Sequence, residues 1–558
     1  MMLRFRILLC LAGAATSTSA PATRPGTPSS CRCFPGDACW PSAEVWTAFN
    51  ESLGGKLIAT VPLASPCHST FPGVDYDAAR CAEIRTNWAR PSLHYATTHS
   101  PMAAFFANMS CDPFTAPDAR CVVGSYVQYA VRATGARDYQ LTLAFARAHN
   151  IRLVVRNTGH DYLGKSTGAG ALALWTQGLK DISILDDQSD SAGYRGKAMK
   201  MGAGVLIGEA QAVAHAQGLV VVAGDCPTVG MAGGYTQGGG TSPLASVFGL
   251  AADQVLEWEV VTAQGQPLTA TPTKNPDLYW ALSGGGGGTY AAVLSMTVKA
   301  HPDVQVAGGT LIFSLQQSTT PDAFWGAVTV VLRSLPAFIG AGGAALWQLV
   351  DGVFYMPQIF LPKASADDLR NLLLNPVISA LQRAGIPYEI NITKYNIGGR
   401  LIPRSLFVSD SGATALTSAM RAITEHGAAL ANVVIGPSRT PYAPNGVYPG
   451  WRDTLMMAMT AIPYNRTDFQ ANVDARHKIT SVIDPILKEL APDGGAYLNE
   501  ADYSEPDFQQ AFYGSNYARL LSIKNKYDPD GLFWAKTAVG SEGWDVQPDG
   551  RLCKVAAV

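Results

Sequence analysis

LVVRNTGHDYLGKSTGAG, residues 153–170, sets an apolar run against a glycine-rich turn that carries a histidine. A glycine turn leaving a strand ordinarily cradles phosphate with backbone N–H groups, and such a cradle needs no imidazole. His160 therefore either caps carbonyls of its own turn or faces a bound cofactor. AGDCPTVGMAGGYTQGGG, residues 223–240, raises the same question about Cys226. That thiol is a disulfide partner, a buried thiol or a reactive one.

The start of the chain decides how the cysteines are read. MMLRFRILLCLAGAATSTSAPATRPG places Arg4 and Arg6 ahead of an apolar stretch, residues 7–15, with small residues following to Ala20. This is the pattern of a secretory signal peptide cleaved near Ala20, with an uncleaved anchor as the rival reading. The stretch is too short to span a bilayer, and no other membrane segment is expected. Of ten cysteines, Cys10 leaves with that peptide and nine remain, seven of them before residue 122. An odd count in an oxidising compartment leaves one over. Cys226, alone among glycines, is the natural odd one, and the other eight can form up to four disulfides of unspecified pairing. Cys31, Cys33 and Cys39 lack the paired spacing of a zinc site, so no metal is expected. Sequons at Asn50, Asn108, Asn391 and Asn465 suit a secreted surface. A net charge of −2 gives no basic field for nucleic acid or an anionic membrane.

Outward from the two glycine stretches, α/β signals alternate. DYQLTLAFARAH has helical spacing with Asp138 as the N-cap. IRLVV, MKMGAGV and LVVVAG read as strands, and IGEAQAVAHAQG as a helix ended by Gly218. QVLEWEVVTAQGQPL reads as a hairpin turning at residues 263–265. NPDLYWAL reads as a short helix with Pro276 in its first turn, and AAVLSMTVKA as a strand. SGGGGGTY and GAGVLIG fail as nicotinamide-dinucleotide fingerprints: the first leads into a strand, and no acidic residue stands at the ribose position. From about residue 303 strand-like runs alternate with longer helical patterns such as DDLRNLLLNPVISALQRAG, which marks a second domain to about 490.

RNTGHDYLGKSTG and CPTVGMAGGYTQGGG together resemble the berberine-bridge-enzyme-like group of the vanillyl-alcohol-oxidase superfamily, in its secreted fungal branch. The resemblance continues through SPLASVFGLAADQVLEWEVVTAQG, DLYWALSGGGGGTYAAVLSMTVKAHP and YLNEADYSEPDFQQAFYGSNYARLLSIKNKYDP. It implies an α+β fold: a PCMH-type FAD-binding domain of two α/β subdomains, with an inserted substrate domain of antiparallel sheet plus helices. The expected division is a signal peptide over 1–20, a Cys-rich N-terminal segment of the flavin domain over 21–120 and the FAD-binding domain proper over 121–302. The substrate domain follows over 303–490, and a C-terminal segment over 491–558 returns to the flavin domain.

The resemblance also implies a bicovalent FAD, with His160 bonded to the 8α-methyl carbon and Cys226 to flavin C6. Imidazole and thiolate are nucleophiles able to add at that benzenoid edge. Backbone N–H groups from Arg156 through Asn157, Thr158 and Gly159 to Gly164 would hold the pyrophosphate. Gly230, Gly233, Gly234 and Asn516 would complete the cofactor site. Val229 would border flavin C4a and leave room for O2, which favours an oxidase over a dehydrogenase; its other reading is a core valine. Tyr497 and Asn499 match the family's YxN strand, which can present a base to flavin N5. A phenol has a pKa near 10, so Tyr497 would need a nearby cation or hydrogen bond to act as base; its other reading is a buried aromatic. Gly234, Tyr235 and Thr241 depart from the family pattern, where histidines are frequent. The expectation is a secreted, glycosylated, monomeric oxidase of a small molecule (a sugar, an alcohol or a secondary metabolite), with O2 as second substrate. The alternatives are a dehydrogenase with another acceptor, or a flavin-bearing scaffold without net redox turnover.

Overall fold

The computed structural model describes residues 31–186, 194–388, 398–437, 443–465 and 468–555. The signal peptide with Cys10, and the Asn391 sequon, lie outside the described residues. Asn108 and Asn465 are exposed, whereas the Asn50 side chain accepts the Leu57 N–H at 3.0 Å.

Three sheets carry the molecule. The first has four strands in the order Leu57–Ala59, Tyr129–Arg132, Leu172–Trp175 and Leu153–Arg156. Its last three strands are parallel. LALW and LVVR are almost continuously apolar because a parallel strand is covered on both faces. Leu153, Leu172 and Leu174 face the helix Ala136–Ala148 through Leu143 and Ala146, while Ala130, Val154 and Ala173 pack on the other side. The helix begins two residues before Asp138, with Gly135 at its N-cap. Asp138 instead accepts the Thr134 N–H at 2.8 Å and pairs with Lys56 at 2.9 Å. Its carboxylate serves the preceding loop, which is why it is buried.

The second sheet is antiparallel, in the order Ile182–Leu185, Ala198–Gly202, Ala292–Lys299, Val255–Val261 and Pro267–Ala270. The expected hairpin turns where Gly265 takes φ +81°, a conformation that favours glycine. LVVVAG forms a strand only at Leu219–Val220, which pairs with His301–Pro302; beyond it the chain leaves the sheet to form the Cys226 turn.

The third sheet is fully antiparallel, in the order Val306–Ser314, Val353–Pro362, Ala344–Val350, Ala429–Val434, Thr454–Ala461 and Gly398–Pro403. The helices Pro321–Gly340, Asn375–Arg383, Asp410–Glu425 and Asp484–Leu490 bury one face of it through Phe313, Trp347, Phe354, Leu430 and Met456. Helix Pro321–Gly340 is apolar enough and long enough to cross a membrane by composition alone, yet Phe324, Val328, Val331, Leu335 and Phe338 are buried in this core. Thr320 and Ser409 cap their helices by accepting the Ala323 and Gly412 N–H groups. The other sheet face turns toward the functional site.

The C-terminal residues return to the first two sheets. Ala496, Leu498, Phe512 and Leu520 join the core of the second, and Phe533 bridges to Leu153 of the first. The YxN segment is a turn, closed by the Glu500 N–H donating to Tyr497 O at 2.9 Å, so its expected strand is absent; hydrogen bonds to the glycine stretch hold it in place.

Candidate functional site

His160 leaves the C-terminal end of strand Leu153–Arg156, where open α/β sheets place ligands. Arg156 fixes the turn from beneath. Its fully buried guanidinium donates to the carbonyls of His94, Thr97, Ser100 and Ser166 at 2.9–3.4 Å. Burial lowers its pKa to about 9, against the opposing charge of Asp161. Gly159 has φ +83°, and a Cβ there would lie 2.7 Å from that guanidinium, so only glycine fits. Asp161 accepts the N–H groups of Leu163 and Ser166, each at 2.9 Å, and closes the turn. The N–H groups of Thr158 and Gly159 donate to no protein acceptor among the described residues. Such donors suit an anionic ligand.

The second turn meets the first. Gly208 donates to Pro227 O and Ile207 to Val229 O, each at 2.9 Å, which pins the Cys226 turn to the helix Ile207–His215. His160 Nε2 then lies 3.9 Å from Cys226 Sγ and 2.8 Å from Thr228 Oγ1. Disulfides join Cys31 to Cys553, Cys33 to Cys39, Cys67 to Cys81 and Cys111 to Cys121. Cys226 is the free cysteine among the described residues, as the odd count predicts. A Cβ at Gly230 would come within 2.1 Å of Asn157 Oδ1, so glycine here is a packing requirement. The Asn157 amide donates to Ala203 O.

A third segment, Tyr497–Glu500, completes the walls. Tyr497 is buried, and its hydroxyl accepts the Gly240 N–H at 3.2 Å and the Asn499 amide at 2.9 Å. Asn499 also donates to Gly234 O at 2.9 Å. Burial first, and then the charge of Glu500, push the phenol well above its usual range. The charged neighbour of Tyr497 is thus an acid, the reverse of the cation that a tyrosine base needs. The carboxyl beside it is Glu500, half-buried at the cavity wall: desolvation there, reinforced by Asp225, raises it to about 7, while Asp225, itself exposed at the cavity, is raised by desolvation to about 6.

These segments line one cavity of about 860 Å³, together with Val229, Gly233, Gly234, Tyr235 and Thr241. This lies in the upper part of the range for small-molecule sites. Arg156, Gly164 and Asn516 are placed otherwise. Arg156 faces the loop beneath; a Cβ at Gly164 would strike Phe106 at 2.5 Å; and Asn516 donates to Val447 O at 2.9 Å, bracing a loop behind the wall. Sequence reasoning missed Asp225, Glu500 and Lys165. Asp225 and Glu500 directly adjoin motif residues, which was their only signal. Lys165 also lines the cavity, and burial lowers its amine to about 8 while Asp161 opposes the shift.

The chain matches the family model "FAD binding domain" over residues 127–271 and "Berberine and berberine like" over 496–540. It is 46% identical to the FAD-linked oxidoreductase sor8 of Hypocrea jecorina, over 97% of this chain and 96% of that one. It superposes on the crystal structure of the VAO-type flavoprotein MtVAO615 from Myceliophthora thermophila C1 with a TM-score of 0.89, at 40% identity, covering 94% of this chain and 100% of the other. Glucooligosaccharide oxidase from Acremonium strictum, described with a 6-S-cysteinyl, 8α-N1-histidyl FAD, shares the fold at 17% identity and a TM-score of 0.59, over 74% of this chain and 92% of that one.

Proposed function

Because this chain belongs to the FAD-linked oxidoreductases of vanillyl-alcohol-oxidase and berberine-bridge type, we propose that it is a secreted oxidase whose FAD is tethered twice, through His160 and Cys226. The observation that carries this reading is their meeting. Turns 66 residues apart bring an imidazole and an unpaired thiol within 3.9 Å of each other on a glycine-rich cavity wall. The Acremonium oxidase, whose FAD bears the same two kinds of link, lends support. The signal-peptide pattern and the four disulfides favour an oxidising compartment.

When bound, FAD supplies the hydride acceptor for a substrate C–H and the carbon at which O2 is reduced. The chain's own residues do the rest. Thr158 and Gly159 offer N–H donors to the pyrophosphate. Glu500 takes the proton from the substrate; desolvation at the cavity wall, reinforced by Asp225, keeps its carboxyl basic enough to do so near neutral pH. Tyr497 receives hydrogen bonds from Asn499 and Gly240 and so keeps its O–H to donate to the substrate. Val229 leaves the small space that O2 needs, and the protein acts as a monomer.

Anaerobic mixing with a panel of substrates tests the oxidase reading. Bleaching of the flavin followed by prompt recovery in air is the expected result. Bleaching with slow recovery would make the protein a dehydrogenase with another acceptor, and no bleaching by a bound ligand would make it a scaffold.

A further inference from the structure

We propose that the substrate is a hydrophobic molecule bearing an isolated hydroxyl or carbonyl oxygen, not a carbohydrate, and that Gln348 recognises that oxygen. The inference rests on reading the cavity as the oxidase site. Its outer wall is the free face of the third sheet. Strands alternate their side chains between faces: Trp347 and Leu349 point into the helix-covered core, while Leu346, Gln348 and Val350 face the cavity. On the adjoining strands Ala431, Val433 and Met459 face it too.

The register fixes their arrangement. Gln348 pairs with Ala431, which pairs with Met459, so the three stand side by side across three strands. Leu346 pairs with Val433 in the neighbouring row. Gln348 is thus one carboxamide set in an aliphatic surface, beside the small side chain of Ala431. Its amide hydrogen-bonds to no protein group among the described residues.

Such a wall gains by covering apolar surface and loses by stripping water from groups it cannot pair. A sugar carries a hydroxyl on nearly every carbon, and most of them would meet Leu, Val, Ala or Met. A single carboxamide offers two donors and one acceptor oxygen, enough for one polar group on an otherwise apolar skeleton. A wall with one hydrogen-bonding side chain, opposite the Glu500 and Tyr497 that act at the reacting carbon, discriminates against the analogue that lacks the oxygen, because its carboxamide is then left unpaired.

Calorimetric titration of the purified holoprotein with 4-butylphenol, butylbenzene and cellobiose tests this. The wild type should bind 4-butylphenol about fivefold tighter than butylbenzene, the worth of one hydrogen bond, and cellobiose at least a hundredfold more weakly than the phenol. Gln348→Leu should abolish the preference for the phenol without weakening butylbenzene. Ala431→Leu, which puts three further carbons on the wall beside Gln348, should weaken both aromatic ligands at least tenfold and serves if the first variant does not fold. Cellobiose binding as tight as the phenol, no binding of the phenol, or an unchanged phenol preference in Gln348→Leu would each overturn the proposal. The titration reads binding whether or not the flavin is covalently held, so a failure of the tethering reading would show separately, as flavin released by acid.

Discussion

Glu500 keeps its proton to about pH 7, instead of the usual 4.5, because it is half-buried and desolvated in the cavity wall and shares the cavity with Asp225. As the proton acceptor it works only when ionised, so flavin reduction should rise with pH through about 7. Glu500→Gln should remove that rise and slow reduction by about 10²-fold or more; anaerobic stopped-flow across pH checks both, and an unchanged profile would return the role to another group. The same shift affects stability. Between pH 4.5 and 7 folded Glu500 holds a proton that the unfolded chain has shed, so stability falls as pH rises through that window. Melting curves of Glu500→Gln should lack this part of the decline. Val229 makes a second residue-scale prediction. Leu adds one methylene, which a close-packed site feels. Anaerobic reduction should stay nearly unchanged while reoxidation in air slows severalfold, with turnover on a quinone dye retained; equal reoxidation rates would remove Val229 as the O2 gate. His160 and Cys226 were legible in the sequence because each sits in a motif of adjacent residues. Glu500 was not, because its basicity comes from desolvation at the cavity wall and, second, from the charge of Asp225, both of which only the fold creates.

At the scale of elements, the cavity wall depends on clamps that the hydrophobic pattern does not carry. Arg452, in the short helix Pro449–Asp453, donates through both terminal nitrogens to Asp253 at 2.7 Å each, and Asn445 donates to the same carboxylate at 2.6 Å. Asp253 is 1% exposed. Its neighbours Ala251 and Ala252 donate to Gly240 and Gly239, and Gly240 in turn donates to Tyr497. Arg452→Met would strand a buried carboxylate and should cost about 3 kcal/mol, the low end for such a pair because Arg452 keeps some water contact. Thermal unfolding should show the loss, and Arg452→Met with Asp253→Asn should lose less than the two single changes summed. The long periodic elements were readable: the helix Ala136–Ala148, the hairpin of the second sheet, and the helix Asn375–Arg383 that covers the third. The YxN strand and most of LVVVAG were not, since their apolar residues serve walls and turns whose partners are distant.

Across the whole molecule, counting cysteines isolated Cys226 before any contact was known, and the disulfides left it free. The pairing was beyond the sequence, because Cys31 finds Cys553 across 522 positions only through the return of the C-terminal segment. The order of the strands and the aliphatic wall around Gln348 were hidden for the same reason: both are set by register between distant strands. Acid precipitation reads whether the two glycine turns together hold the flavin covalently. The wild-type pellet should stay yellow, with His160→Ala still holding flavin through Cys226 and Cys226→Ala through His160, and only the double variant should release it. Free flavin in the wild-type supernatant would mean that neither His160 nor Cys226 holds it.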